Sequence, residues 1–190
     1  MFVKLGAHLI QSDAIAHWLM EPGRPVYEKV VGRFGRGILN SDGTINRQKL
    51  AEMAFGSAGT APRVKELNAI VHPAVIAHEN EWMEEIGARD SNAIAIVEAA
   101  LILEAGTANR FDYLVVVTCQ PEQRIERLAR RLKISEAAAR TEVTRRMAAQ
   151  IPDEEKIRAA DFIIDNSGSL ESTELQVRNV FAALRSSVGS

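Results

Sequence analysis

Four short apolar runs limit what this chain can fold into more than any other feature. They are "AHLI" at 7–10, "AIAIV" at 93–97, "YLVVVTC" at 113–119 and "DFIIDN" at 161–166. The second and third lack polar alternation, the pattern of parallel strands covered on both faces. Helical segments separate the runs, and strands alternating with helices specify a three-layer α/β domain.

The stretch from about 22 to 88 reads differently, as helices without strands. "AIAHWLMEPG" predicts a short helix stopped by Pro22-Gly23, and "PVYEKVVGRFG" another with Val26, Val30 and Phe34 on one face. "NSDGT" is a turn. Helices follow around 47–55 and 62–71, and His72-Pro73 is expected to break the chain before a helix that keeps Val75, Trp82 and Ile86 on its apolar face. A highly charged helical hairpin precedes the last strand, and a closing helix runs from about 170 to 184. At the other end, Met1 to Leu5 carry the spacing of a helix end, with Gly6 where a helix stop belongs.

The chain has 190 residues, 46% hydrophobic and 25% charged, enough for one domain with a real core and outside the disordered or collagen-like range. A formal net charge of −2 provides no global field for nucleic acid or an acidic membrane, so an anion site has to be built locally. One cysteine, Cys119, cannot staple the fold and reads as a small buried hydrophobe in an intracellular protein. Lys4, His8, Asp13 and His17 interrupt any run that would serve as a signal core or span, so a cytoplasmic protein is expected.

Ligands of open parallel sheets gather beyond the carboxyl ends of the strands, which directs attention to Gln11-Ser12-Asp13, Glu98, Pro121-Glu122 and Asn166-Ser167-Gly168. Asp13 precedes a helix and reads first as its N-cap and second as a catalytic group, though one carboxylate can do both. Glu98 ends an apolar run, where burying a carboxylate is costly without a cation, a metal-bound water or backbone donors. Arg124, Arg127 and Arg131 share one helical face, with Arg130 beside them and Arg140, Arg145 and Arg146 beyond a break. Such a cluster suits a phosphoryl-transfer lid, because guanidinium groups bind phosphate oxygens bidentately; the competing reading is a solvated face with Glu126 and Arg130 paired at i, i+4. His72 reads as an anion or hydroxyl donor at a helix start, or as a structural cap. Trp18 and Trp82 read as core or cap-packing residues. There is no metal-ligand spacing, no Ser/His/Asp order and no Cys/His pair.

The segments "LGAHLIQSDAIAH", "EPGRP", "RFGRGILNSDGTINRQKLAEMAF", "LNAIVHPAV", "VEAALILEAG", "FDYLVVVTCQPEQRIERLARR" and "RRMAAQIPDEEKIRAADFIIDNSGSLE" resemble, in that order, the dephospho-coenzyme A kinase family. The resemblance runs from Leu5 to about Leu184. It implies a three-layer P-loop NTPase-like parallel sheet with a helical acceptor-binding insert and an arginine-rich helical lid. It also implies magnesium-dependent transfer of the ATP γ-phosphate to the ribose 3′-hydroxyl of dephospho-coenzyme A, the last step of coenzyme A synthesis. The implied division is a core of 1–21, 89–120 and 157–190, an acceptor subdomain of 22–88 and a lid of 121–156.

Carried over residue by residue, the resemblance places Asp13 near the acceptor hydroxyl as base or orienter and Arg146 among the catalytic lid residues. His17, where the family usually has arginine, His72, Glu98 and Glu104 are expected at the substrate. Arg127, Arg131, Gln150, Asn166 and Gly168 are expected at the nucleotide. Two departures accompany them: Gln11 replaces the first acid of the family's Asp-x-Asp motif, and Ala100 replaces a proline.

The largest departure lies at the start. The family's first strand and Gly-x-x-x-x-Gly-Lys-Ser/Thr loop, about 20 residues, precede the helix whose end resembles "MFVKLG", and that motif occurs nowhere in the sequence. Met1 thus reads as an internal methionine, with the first strand missing from the middle of the sheet and no P-loop hydroxyl for magnesium. The expectation is that upstream residues complete the natural protein; closure of the flanking strands or an edge lent by another chain are the alternatives. As written, the chain is expected to be inactive. Its rivals are a degenerate nucleotide- or coenzyme A-binding or subunit protein, and a kinase for another small alcohol or nucleotide. Neither nucleic acid nor a membrane is expected as a partner, and a monomer or weak homo-oligomer is expected.

Overall fold

The computed structural model describes residues 1–56 and 61–188. The chain divides into two compact units, residues 8–99 and residues 1–7 with 100–190.

In the unit of residues 8–99, strand β1 (His8–Gln11) runs directly into helix α1 (Ser12–Leu19). Helices α2 (Pro25–Phe34), α3 (Arg47–Phe55) and α4 (Val64–Arg89) follow, and strand β2 (Ala95–Glu98) closes the unit. β1 and β2 pair in parallel with His8 opposite Ala95 and Gln11 opposite Glu98. The helical stretch forms as its pattern predicts. Pro25 occupies the first turn of α2, where its missing N–H costs nothing, and Val26, Val30 and Phe34 are buried against Ile38, Leu50 and Ala54. "NSDGT" turns between Leu39 and Ile45, which form an isolated antiparallel bridge, and the Tyr27 hydroxyl donates to the Gly43 carbonyl across 2.6 Å. Gly43 has φ +84°, a left-handed conformation that favours glycine.

The expected break at His72-Pro73 does not occur. α4 continues through Pro73 as one helix of 26 residues. A proline inside a helix removes one hydrogen bond and costs about 3 kcal/mol. Val71 and Val75 are buried on either side of it, with Leu67, Ile70 and Ala74 packed against the same core. Each such side chain contributes roughly 1.5–3 kcal/mol when fully buried, so packing exceeds the local penalty.

In the other unit, Phe2–Leu5 form a 3-10 turn ended by Gly6 at φ 103°, whose N–H and that of Ala7 return to the Val3 and Phe2 carbonyls. The helix stop thus forms as the sequence predicts. Strand β3 (Val115–Thr118), helices α5 (Pro121–Leu132), α6 (Glu136–Ala148) and α7 (Asp153–Ala159), strand β4 (Phe162–Asp165) and helix α8 (Leu170–Val188) complete it. β3 pairs with β4 in parallel, Thr118 opposite Asp165. α5 and α6 make a hairpin sealed by Ile125, Leu128, Ala139 and Val143. Lys133 turns the chain at φ 54°, and the Ser135 hydroxyl accepts from the Ala138 N–H to start α6.

The strands are less covered than their apolar runs predict. Leu9 is 42% exposed, Val117 59% and Ile163 46%. A two-stranded sheet gives each strand a single hydrogen-bonded neighbour and few side chains to cover it, so runs suited to burial on both faces stay half exposed.

Candidate active site

In the unit of residues 8–99, Gln11, Ser12 and Asp13 lie where β1 becomes α1, with Glu98 at the end of β2 beside Gln11. The predicted N-cap role of Asp13 is not seen. The helix begins one residue earlier, Gln11 takes the cap position without a side-chain cap bond, and Asp13 lies exposed in the first turn. There a carboxylate still faces the positive end of the helix dipole. The amide of Gln11 donates to Glu98 Oε2 across 2.9 Å, and Glu98 is exposed rather than buried, so its charge keeps access to water.

Ser12 Oγ donates to Glu79 Oε1 across 2.6 Å, and Glu79, on α4, is only 3% exposed. Sequence reasoning missed Glu79. Its signal was present: it stands four residues after Val75 and seven before Ile86, on the stripe read as apolar.

His17 ends up exposed on α1. Desolvation, then the charge of Arg47, lowers its pKa, while Asp13 opposes the shift. His72 sits half-buried inside α4, not at a helix start, which corrects the expected cap geometry. Trp18, expected in packing, is partly exposed and stacked: the Arg24 guanidinium lies 3.4 Å from its ring centroid and the His78 ring 5.0 Å away.

In the unit of residues 1–7 and 100–190, the arginines divide into paired and outward groups. Arg124 is ion-paired with Asp153, and Cys119 is half-buried rather than fully enclosed. Arg127 donates to the Asn166 carbonyl across 2.9 Å, joining the hairpin to the loop after β4. That loop is itself held: the Asn166 N–H donates to Thr118 O at 2.8 Å, and Thr173 Oγ1 donates to Asn166 Oδ1 at 3.1 Å. At Gly168 an added Cβ would meet Ser172 at 3.5 Å, an ordinary contact. Arg131 is exposed. Arg130 pairs with Glu126 at 2.6 Å, as the competing reading of a solvated face predicts for that residue.

Arg146 donates to Glu142 across 2.7 Å and Arg145 pairs with the same carboxylate at 2.8 Å, which holds Glu142 down to about 2. Glu104 is turned toward the backbone, accepting the Ile151 N–H at 2.9 Å. Gln150 accepts from Lys156, whose ammonium also lies 3.9 Å from Glu104 and 3.8 Å from Asp153. Lys156 and Asp153 were not singled out in the sequence, since charges in "PDEEKIR" look like any solvated helix.

Among the described residues no group of three or more His, Cys, Asp or Glu is placed to hold a metal ion. No helix among the described residues is long and apolar enough to cross a membrane.

A family model for dephospho-CoA kinase matches residues 1–172. The chain belongs to the dephospho-CoA kinase family. The dephospho-CoA kinase of Aquifex aeolicus is 36% identical over 184 residues, which cover 97% of this chain and 88% of that protein. That of Symbiobacterium thermophilum is 39% identical over 178 residues, 94% of this chain and 71% of that protein. Among solved structures, a crystal structure from Thermus thermophilus superposes with a TM-score of 0.72 at 29% identity, covering 96% of this chain and 87% of that one. A dephospho-CoA kinase from Campylobacter jejuni gives 0.65 at 26% identity, covering 97% and 88%. The fold class is therefore that of the family's P-loop α/β kinases, with parallel strand pairs flanked by helices.

Proposed function

We propose that this chain carries the acceptor and lid machinery of an ATP-dependent dephospho-coenzyme A kinase, which phosphorylates the ribose 3′-hydroxyl. The observation that carries the reading is the family match over residues 1–172, together with relatives of that name aligned along nearly the whole chain. The proposed division is a core of 1–21, 89–120 and 157–190, an acceptor subdomain of 22–88 and a lid of 121–156. Asp13, exposed in the first turn of α1, accepts the proton of the attacking hydroxyl, while His17, His72, Glu98 and Glu104 contact or flank the acceptor. Arg146 exchanges Glu142 for the charge on the moving phosphoryl group, as Arg127 and Arg131 do for the nucleotide phosphates. Gln150, Asn166 and Gly168 form the nucleotide's remaining contacts. Magnesium bound to the triphosphate would offset its charge. The protein acts in the cytoplasm as a monomer or weak homo-oligomer.

A second reading rests on the sequence itself. It has no Gly-x-x-x-x-Gly-Lys-Ser/Thr, Gln11 stands for an acid and Ala100 for a proline. That motif supplies the phosphate nest, the lysine on the β/γ oxygens and the hydroxyl for the metal, so on this reading the chain as written is inactive. Without these groups the protein is a nucleotide- or coenzyme A-binding relative that does not turn over. ATP-dependent phosphorylation of dephospho-coenzyme A by this chain and by an upstream-extended form decides between them. Turnover only in the extended form supports the kinase; none in either supports the binding protein.

A further inference from the structure

Glu79 is the one ionisable side chain among the buried groups of the described residues. It follows Val71 and Val75 at four-residue intervals on α4, where the helix faces its core and an apolar side chain would pack without penalty. Taking a carboxyl group out of water is unfavourable unless its oxygens find partners, so a glutamate at this place does something that leucine cannot. What it does is visible at its Oε1, which accepts the Ser12 hydroxyl across 2.6 Å.

Ser12 is the first residue of α1, and α1 starts without a side-chain cap. The two residues that enter the helix are instead each tied to a distant acid, Gln11 to Glu98 and Ser12 to Glu79. Asp13 comes next. At the far end of the same helix, Trp18 packs against His78, the neighbour of Glu79 in sequence. α1 is thus tied to α4 in both its first and its last turn.

We infer that Glu79 is a positioning residue: through Ser12 it fixes the first turn of α1 and with it the direction of the Asp13 carboxylate. The inference rests on the kinase reading for its effect on turnover, but the tie itself has a readout of its own. Glu79→Gln keeps an oxygen that accepts from Ser12, and Ser12→Thr keeps the hydroxyl. Glu79→Leu and Ser12→Ala remove the bond.

Amide hydrogen exchange and steady-state kinetics are measured on all four variants, in the form of the protein that phosphorylates dephospho-coenzyme A. In Glu79→Leu and Ser12→Ala, exchange at residues 15–19 should rise about tenfold or more while α2 and α3 are unchanged. Their kcat should fall about 10²-fold, the cost of a misplaced reacting group, with KM for ATP within about twofold of the parent. Glu79→Gln and Ser12→Thr should keep both properties near the parent. Unchanged exchange in the two disrupting variants overturns the inference. So does faster exchange with unchanged kcat, which would make the bond purely structural. If no form of the protein turns over, the kinase reading falls, and the exchange pattern alone decides whether Glu79 holds α1.

Discussion

Gln11 and Glu98 face each other at the last paired position of β1 and β2, with the Gln11 amide donating to the Glu98 carboxylate across 2.9 Å. A glutamine here lets two adjacent strand ends come together with one charge between them. Two acids at the same position would repel, and like charges directly opposite on neighbouring strands are destabilising. Gln11→Asp should therefore lower the unfolding stability by about 0.5–1 kcal/mol at neutral pH. The loss should shrink at high ionic strength, which screens the two exposed charges. Denaturant melts at low and high salt measure it; equal losses would show that the facing carboxylates do not interact.

His17 is the second place where charge can be followed directly. Desolvation and Arg47 lower its pKa below the ordinary 6.5, and Asp13 works against them. NMR titration should show the ring titrating below 6.5, lower still in Asp13→Asn and higher in Arg47→Ala. Above 6.5 the ring is neutral in both folded and unfolded chains. As pH falls below 6.5 the unfolded chain takes up the proton first, so this group disfavours the folded state progressively toward its depressed folded pKa.

Arg146 and Arg145 share one carboxylate, Glu142, which they hold down to about 2. Arg146→Ala should reduce kcat of the active form about 10²–10³-fold with little change in melting temperature, since its side chain is half exposed. Glu142→Gln should raise nucleotide affinity about threefold, because a surface pair worth a few tenths to 1 kcal/mol no longer has to break. Kinetics and nucleotide titration of the two variants test these outcomes.

Glu66 sits between two guanidinium groups, Arg63 at 2.7 Å and Arg33 at 2.6 Å, and is drawn down from 4.5 to about 2. The Arg63 hydrogen bond is the larger cause. Arg63 also lies 4.5 Å over the Phe34 ring and donates to the Arg33 carbonyl at 3.1 Å, so it joins the start of α4 to the end of α2. Because the folded pKa is depressed, the contribution of this group is present above pH 4.5 and is lost as pH falls toward 2. Carboxyl NMR titration should place Glu66 near 2 in the parent and close to 4.5 in an Arg33→Ala, Arg63→Ala double variant.

Much of the architecture was legible in residue order. The periodicities of α2 and α3, the turn at 40–44, the stop at Gly6 and the four strand positions follow from local stereochemistry, which acts over a few residues and leaves its mark in spacing. The family was legible too, because a set of ordered segments is more specific than any one motif. The proline in α4 was misread for the converse reason. A proline breaks an isolated helix, and only the core beneath Val71 and Val75 holds this one together.

The candidate site divides along the same line. Asp13, Glu98 and the arginines could be named from strand ends and helical faces. Which carboxylate each donor meets could not, since Ser12 and Glu79 are separated by 67 positions and Gln11 and Glu98 by 87. Sequence alone determined the order of strands and helices, their capping signals and the residue types at each strand end. Tertiary structure alone decided that a glutamate on an apolar stripe is buried against a serine, and that Arg146 rests on Glu142. Spacing records the geometry of one element, whereas a hydrogen bond between distant elements exists only after the chain has closed on itself.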